Sequence, residues 1–272
     1  MSRYATMFER LAERGEGAFG AFLMLGDPDI EACAELLDAV VAGGADMVEV
    51  GIPFSDSVAD GPVIQAAAKR ALSAGVRVGD CLELIARFRG RYPDVPLGIL
   101  TYANIVAARG GFMRDAAEAG ADSLLIADVP ALEAPPFTRE MQQAGIEPVL
   151  IAAANTPDAS LANIARLSRG YTYCVSRAGI TGTHSEGRFD GALIARLKRL
   201  GAPPPVFGFG ISTPEHVRAA LDAGAAGVIC GSAIVDLVSR GGSPVNLVGL
   251  LKAATLNDKA RERLGGAMIE SP

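Results

Sequence analysis

A short unit recurs along this chain and restricts its fold more than any other feature. The segments AGGAD (42–46), AEAGAD (117–122) and DAGAAG (222–227) each close an amphipathic stretch with glycine and lead straight into an apolar run. That is the αβ turn of a repeating βα unit. The apolar runs are GAFLML, DMVEVGI, PLGILTY, SLLIADV, EPVLIAA, YTYCVS, PVFGFG and AGVIC. Their continuous apolar character suits parallel strands covered on both faces. Between them lie stretches of helical period. IEACAELLDAVVAGGA stops at Gly43 and Gly44, and further helices are predicted over 62–72, 78–91, 112–119, 131–144, 157–169, 190–200, 213–223 and 244–258. Pro157-Asp158 and Thr213-Pro214-Glu215 read as helix starts.

Repeating βα units close into a barrel or spread into a doubly wound sheet. About eight units, with no linker and no second domain in view, favour the barrel. The expected fold is therefore α/β: one (β/α)8 barrel domain spanning 1–272, with an extra N-terminal helix and a short helix after the eighth strand. The last residues, GGAMIESP, read as frayed.

Composition narrows the function. A net charge of -6, with no basic stripe, gives no footprint for nucleic acid. No apolar run approaches the ~20 residues of a membrane span. The amphipathic start MSRYATMFERLAERG lacks the apolar core of a secretion signal, so a cytoplasmic protein is expected. Cys33, Cys174 and Cys230 sit in apolar stretches, and with Cys81 they lie too far apart for a CxxC site. They read as buried thiols in a reducing compartment. With His184 and His216 the only histidines, no metal site is expected. Gly15 to Gly20 matches GxGxxG by accident, because a helix precedes it and a strand follows.

Barrel active sites sit at the C-terminal ends of the strands. Glu49 is an acid inside an otherwise apolar strand. It is a helix-facing partner of an arginine, a core carboxylate held by hydrogen bonds, or an acid/base whose pKa burial raises. Asp60, in IPFSDSVADGPVIQ, either caps the helix opening at Gly61-Pro62 or does chemistry, and one does not exclude the other. Three glycine-rich turns, at 178–183, 208–212 and 231–233, follow the last three strands. They are tight turns alone, or they bring backbone N–H groups and a helix N-terminus to a phosphate. Lys69, Lys198, Lys252 and Lys259 all fall in predicted helices, which leaves no strand lysine for a Schiff base.

The segments LGDPD (25–29), VEVGIPFSDSVADGPVIQ (48–65), ADSLLIADVP (121–130), GYTYCVSRAGITGT (170–183), GFGIS (208–212) and GSAIV (231–235) resemble the tryptophan synthase alpha subunit family, in its order and spacing. The resemblance implies a lyase that splits indole-3-glycerol phosphate into indole and glyceraldehyde 3-phosphate. Glu49 looks like its general acid/base and Asp60 like the carboxylate that steadies the indole N–H. Thr181 resembles the threonine that orients this aspartate on loop closure, and Tyr173 a tyrosine near the glutamate. Gly182, Phe209, Gly210, Gly231 and Ser232 match phosphate-binding positions. Phe22, Leu100, Ala127 and Ile151 align with the indole pocket, and Tyr102 joins the substrate-binding set.

The resemblance further implies a beta-subunit partner in an α2β2 complex. Pro53, Asp56 and the ANIV turn at Asn104 would face it. This chain would carry no cofactor, and pyridoxal phosphate is expected on the beta subunit. A stand-alone lyase releasing indole, or a non-catalytic activating subunit, are the alternatives. The chain departs from the family where SDP reads Ser55-Asp56-Ser57, which should loosen that loop. Met24 stands for a common threonine and Thr101 for a common methionine. Ala127 is smaller than the frequent leucine. These last three bear on the pocket's shape.

Overall fold

The computed structural model describes residues 1–175 and 189–257. The chain opens with α1 (Arg3–Arg14), β1 (Ala18–Met24), α2 (Ile30–Ala42) and β2 (Met47–Gly51). It continues through α3 (Pro62–Ser73), α4 (Val78–Arg91), β3 (Leu97–Thr101), α5 (Ala103–Ala108), α6 (Phe112–Ala119) and β4 (Ser123–Ile126). Then come α7 (Ala134–Gln143), β5 (Glu147–Pro148), β6 (Ile151–Ala153), α8 (Asp158–Leu167) and β7 (Thr172–Val175). The last described elements are α9 (Gly191–Arg199), β8 (Pro205–Phe207), α10 (Pro214–Asp222), β9 (Gly227–Cys230), α11 (Ser232–Ser239) and α12 (Val245–Ala253).

All strand pairs are parallel, in the order β5-β4-β3-β2-β1-β9-β8-β7-β6. The two outer strands are consecutive in the chain. Between them Val149 donates to Leu124 O at 3.0 Å, and Leu150 O accepts from Tyr173 N at 3.1 Å. The sheet therefore closes on itself as a barrel, and the fifth of the expected runs supplies both edges. EPVLIAA is thus not one strand but two short ones. Pro148 has no N–H to offer a ladder, and the chain passes from one neighbour to the other just beyond it.

The three αβ glycine turns form as the sequence indicates. Gly44, Gly120 and Gly224 take φ of 98°, 99° and 95°, a region that costs an L side chain energy. Strand alternation then sorts the core into two layers. Phe19, Ala21, Val48, Val50, Leu97, Ile99 and Leu124 pack outward against the helices. Phe22, Met24, Met47, Leu125, Val149, Tyr171, Tyr173, Val206 and Ile229 fill the interior.

Ser2 caps α1, its side chain accepting from Ala5 N, and Tyr4, Met7 and Leu11 form a stripe at helical spacing. That stripe joins the interior layer, and the Tyr4 hydroxyl meets Ser123 Oγ at 2.9 Å. The extra helix stoppers the N-terminal mouth, each apolar side chain contributing ~1.5–3 kcal/mol by burial. Lys252 on α12 reaches Glu16 at 2.7 Å and Asp46 at 2.9 Å, and Asp46 also accepts from Phe19 N. The C-terminal helix is thereby tied to the bases of β1 and β2.

Two further expectations change. ANIV is not a turn but the first part of α5, which has no side-chain cap. All four cysteines are buried and free, Cys81 included. The end of the helix predicted over 244–258, Lys259 and GGAMIESP lie outside the described residues.

Candidate active site

Alternation along β2 sends Met47, Glu49 and Gly51 inward, so the one acid of that strand enters an apolar chamber. Glu49 is only 3% exposed. Its Oε1 accepts from the Tyr171 hydroxyl at 2.9 Å, and Oε2 is buried without a hydrogen-bond partner among the described residues. Burial first, and then the nearby charge of Asp60, push its pKa up to about 7 against the pull of Tyr171. No arginine among the described residues pairs with it. Glu49 is a core carboxylate held by one hydrogen bond, poised to gain or lose a proton near neutrality.

Tyr171 escaped the sequence reading, which turned to Tyr173. Both tyrosines point inward from the same strand edge. Tyr171 packs against Tyr4, ring centroids 5.3 Å apart. The Tyr173 hydroxyl instead donates to Gly208 O at 3.2 Å. Burial raises its pKa, with Glu49 and Asp60 adding to the effect, so its ring stands in the field of both carboxylates.

Asp60 lies at the end of the loop after β2 and is 8% exposed. It does not cap α3. Gly61 takes that position without a side-chain cap, followed by Pro62 at the first turn. The Asp60 carboxylate accepts instead from the Tyr102 hydroxyl at 2.9 Å. Burial lifts its pKa to about 6, partly offset by that hydrogen bond. Phe54 covers the Tyr102 ring at 5.2 Å. The loop is held despite its missing proline. Ser57 is buried, and its carbonyl accepts from Asp60 N at 3.1 Å and from Gln65 Nε2 at 3.3 Å. Gln65 Nε2 also donates to Asp60 O at 2.9 Å. Gln65 closes the segment quoted above, yet the sequence alone gave it no role.

Glycine-rich turns follow β8 and β9. Gly208 has no room for a side chain, because a Cβ there would come within 1.9 Å of the Tyr173 ring. Phe209 meets Tyr173 edge to face, centroids 6.0 Å apart. Gly210 has φ 79°, with open space around it. Gly231 precedes α11, and Ser232 is its first residue. The backbone N–H groups at that helix start offer a place for an anion.

Phe22, Leu100, Ala127, Ile151 and Phe209 all belong to the interior cluster with Tyr173, so the apolar set comes together. Met24 is buried in the same cluster. Thr101 does not shape the pocket, since it follows inward-facing Leu100 on β3. It is fully buried, and its hydroxyl has no partner among the described residues. Of the expected partner-facing residues, Asp56 and Asn104 are exposed and Pro53 is buried. Thr181, Gly182 and the turn at 178–183 lie outside the described residues. Among those described, no group of His, Cys, Asp and Glu is arranged to hold a metal ion. Lys69, Lys198 and Lys252 lie on α3, α9 and α12, none on a strand.

This geometry has known counterparts. A family model described as tryptophan synthase alpha chain matches residues 8–260. The chain is 45% identical over 267 residues to the tryptophan synthase alpha chain of Escherichia coli (strain SMS-3-5 / SECEC), covering 97% of this chain and 100% of that one. It is 46% identical over 264 residues to the tryptophan synthase alpha chain of Klebsiella pneumoniae, covering 96% and 98%. Among solved structures, it resembles a chain of Mycobacterium tuberculosis tryptophan synthase with a TM-score of 0.86 at 30% identity, covering 94% and 99%. The alpha subunit from Legionella pneumophila gives 0.84 at 30% identity, covering 97% and 99%.

Proposed function

The chain belongs to the tryptophan synthase alpha chain family, and from that premise we propose that Glu49 and Asp60 divide the cleavage of indole-3-glycerol phosphate between them. It is a lyase of tryptophan biosynthesis, releasing indole and glyceraldehyde 3-phosphate by a retro-aldol reaction. Glu49, protonated, gives its proton to indole C3. Positive charge then develops on the ring nitrogen, and Asp60, ionised, accepts a hydrogen bond from the N–H. The C3 bond to the glyceryl carbon breaks as the Glu49 carboxylate takes the proton from the neighbouring hydroxyl, which becomes the aldehyde. The proton that Glu49 gives up is returned, so the cycle balances.

The observation that carries this reading is the different setting of the two carboxylates. Glu49 is buried with Oε2 unpartnered among the described residues and its pKa pushed up to about 7, which favours the acid, whereas the Tyr102 hydroxyl donates to Asp60 and favours the anion. Phe22, Leu100, Tyr102, Ala127, Ile151 and Tyr173 would hold the ring. Thr181 and Gly182, with Phe209, Gly210, Gly231 and Ser232, would close on the phosphate.

A beta subunit is the partner this family implies. We propose an α2β2 assembly reached through the exposed Asp56 and Asn104, with the buried Pro53 shaping the loop that carries Asp56, working in the cytoplasm, with pyridoxal phosphate on the beta subunit. No described helix is long and apolar enough to cross a membrane. Steady-state release of indole from indole-3-glycerol phosphate, with and without the beta subunit, tests the assignment. Slow release that rises strongly on adding the partner is expected. Equally fast release in both mixtures would make the chain a stand-alone lyase, and no release in either would remove the catalytic role.

A further inference from the structure

The break in the fifth stave leaves an opening in the barrel wall. β4 pairs with β5 only at Ser123 and Leu124, whereas β6 pairs with β7 and not with β4. Beyond Leu124, the top of β4 therefore has no strand on that side. A recess of about 250 Å³ occupies the gap, bounded by Ala127, Val129, Pro130, Ala131, Leu150 and Ile151. Asp128 also borders it, but its Oδ1 is engaged by Ala103 N at 2.8 Å. The lining is otherwise apolar and includes two alanines.

This recess shares two of its residues with the apolar set expected to hold the indole ring. Ala127 and Ile151 pack on the interior cluster with Phe22, Leu100 and Tyr173, and the same two residues form the near rim of the recess. A ring held among those residues would have on this side a methyl-sized threshold and empty apolar space behind it. Where a wall is packed, added atoms are poorly tolerated, so a recess is the place that can take them.

We propose that this chain cleaves indole-3-glycerol phosphates bearing a methyl group or chlorine on the benzene ring, with the substituent seated in the recess behind Ala127 and Ile151. The inference rests on the function proposed above and names a substrate class for the same site. An apolar substituent that moves from water into an apolar recess gains affinity, by about fourfold for one methyl if the fit is complete. The benzene-ring edge is the part of the substrate that can reach this side, since the phosphate is held by the opposite wall at Gly210, Gly231 and Ser232.

The test uses the complex with the beta subunit. kcat/KM is measured for the unsubstituted substrate and for its isomers methylated at each free benzene carbon. At least one isomer is expected to react within tenfold of the unsubstituted substrate. Ala131→Leu, which fills the recess from its far side, should lower that ratio at least tenfold while the unsubstituted substrate is turned over as before. Ala127→Leu should lower the same ratio from the near rim. Rejection of every methyl isomer by more than tenfold in the natural protein would overturn the proposal. So would a ratio that Ala131→Leu leaves unchanged. Failure to cleave even the unsubstituted substrate would instead strike the proposed function, so the two failures are distinct.

Discussion

The wall of β1 to β4 and the wall of β5 to β8 are made from the same βα unit, yet they are built to different standards. The first has strands of seven, five, five and four residues. The second has strands of two, three, four and three. Both carboxylates and Tyr102 come from the long-stranded side, and Gly208, Phe209 and Gly210 come from the other. The division follows from the chemistry of each end. An acid whose pKa depends on exclusion of water needs a fixed, fully packed setting, which long paired strands supply. An anion held by backbone N–H groups needs turns, and turns shorten the strands that lead into them. On the proposed function, the carboxylates and the turns expected to take the anion come from different strands of one ring.

Substitutions can break this contrast in order of severity. The largest effect belongs to the long-stranded wall. Glu49→Gln keeps shape and volume but removes the acid/base, and it should cost at least ~10²-fold in kcat with the circular dichroism spectrum unchanged. Near-normal turnover would remove Glu49 from the mechanism.

The same variant should be more stable than the natural protein at alkaline pH. A carboxyl whose pKa is about 7 when folded, against an ordinary 4.5, lends stability that is present below 4.5 and lost as pH rises through 7. Removing the titration should raise the free energy of unfolding at pH 8 by up to ~3 kcal/mol relative to its effect at pH 4.5. Denaturant melts at the two pH values test this, and a difference that does not depend on pH would contradict the buried, half-satisfied setting of Glu49.

On the short-stranded wall the expected damage is to binding. Gly210 has φ 79° and no described atom within 4 Å of where a Cβ would sit, so Gly210→Ala imposes backbone strain of about 1–2 kcal/mol. KM should rise roughly tenfold with kcat little changed, a split visible in initial-rate kinetics. A loss confined to kcat would place Gly210 with the carboxylates and blur the two walls. The smallest effect lies outside the chamber. Thr101→Val exchanges an unpartnered buried hydroxyl for a methyl and should stabilise the fold by about 1 kcal/mol without altering the rate. Thermal denaturation together with the rate checks both halves of that statement.

The same contrast explains what the sequence disclosed. Elements of the long-stranded wall announce themselves. An acid between Met47, Val48 and Val50 stands out against its strand, and the glycine turns at Gly44 and Gly120 mark where strands begin. The short-stranded wall is harder to read. EPVLIAA looks like one strand because its apolar pattern is unbroken, and only Pro148 hints at the change of neighbour. The long-stranded side hides one element too: α5, after β3, is six residues without a cap, too short for periodicity to register. Tyr171 was within reach, since YTYCV alternates and sends both its tyrosines to one face. The hydrogen bond that distinguishes them depends on where Glu49 arrives from 122 residues away. No local pattern encodes such a meeting. The bonds from Gln65 to Ser57 and Asp60 belong to the same kind, visible only once the loop has folded back on its helix.

The pairing of β1 with β9 carries a consequence for how the molecule is made. β1 finds one neighbour early, when β2 follows it, but its other edge is taken by Gly227 to Cys230. A ribosome adding ~5–20 residues each second needs roughly 10–40 s to span that interval. Throughout it, β1 presents an open row of amides and carbonyls, the kind of edge on which nascent chains adhere to one another. An early strand is then among the last of the described strands to be fully paired.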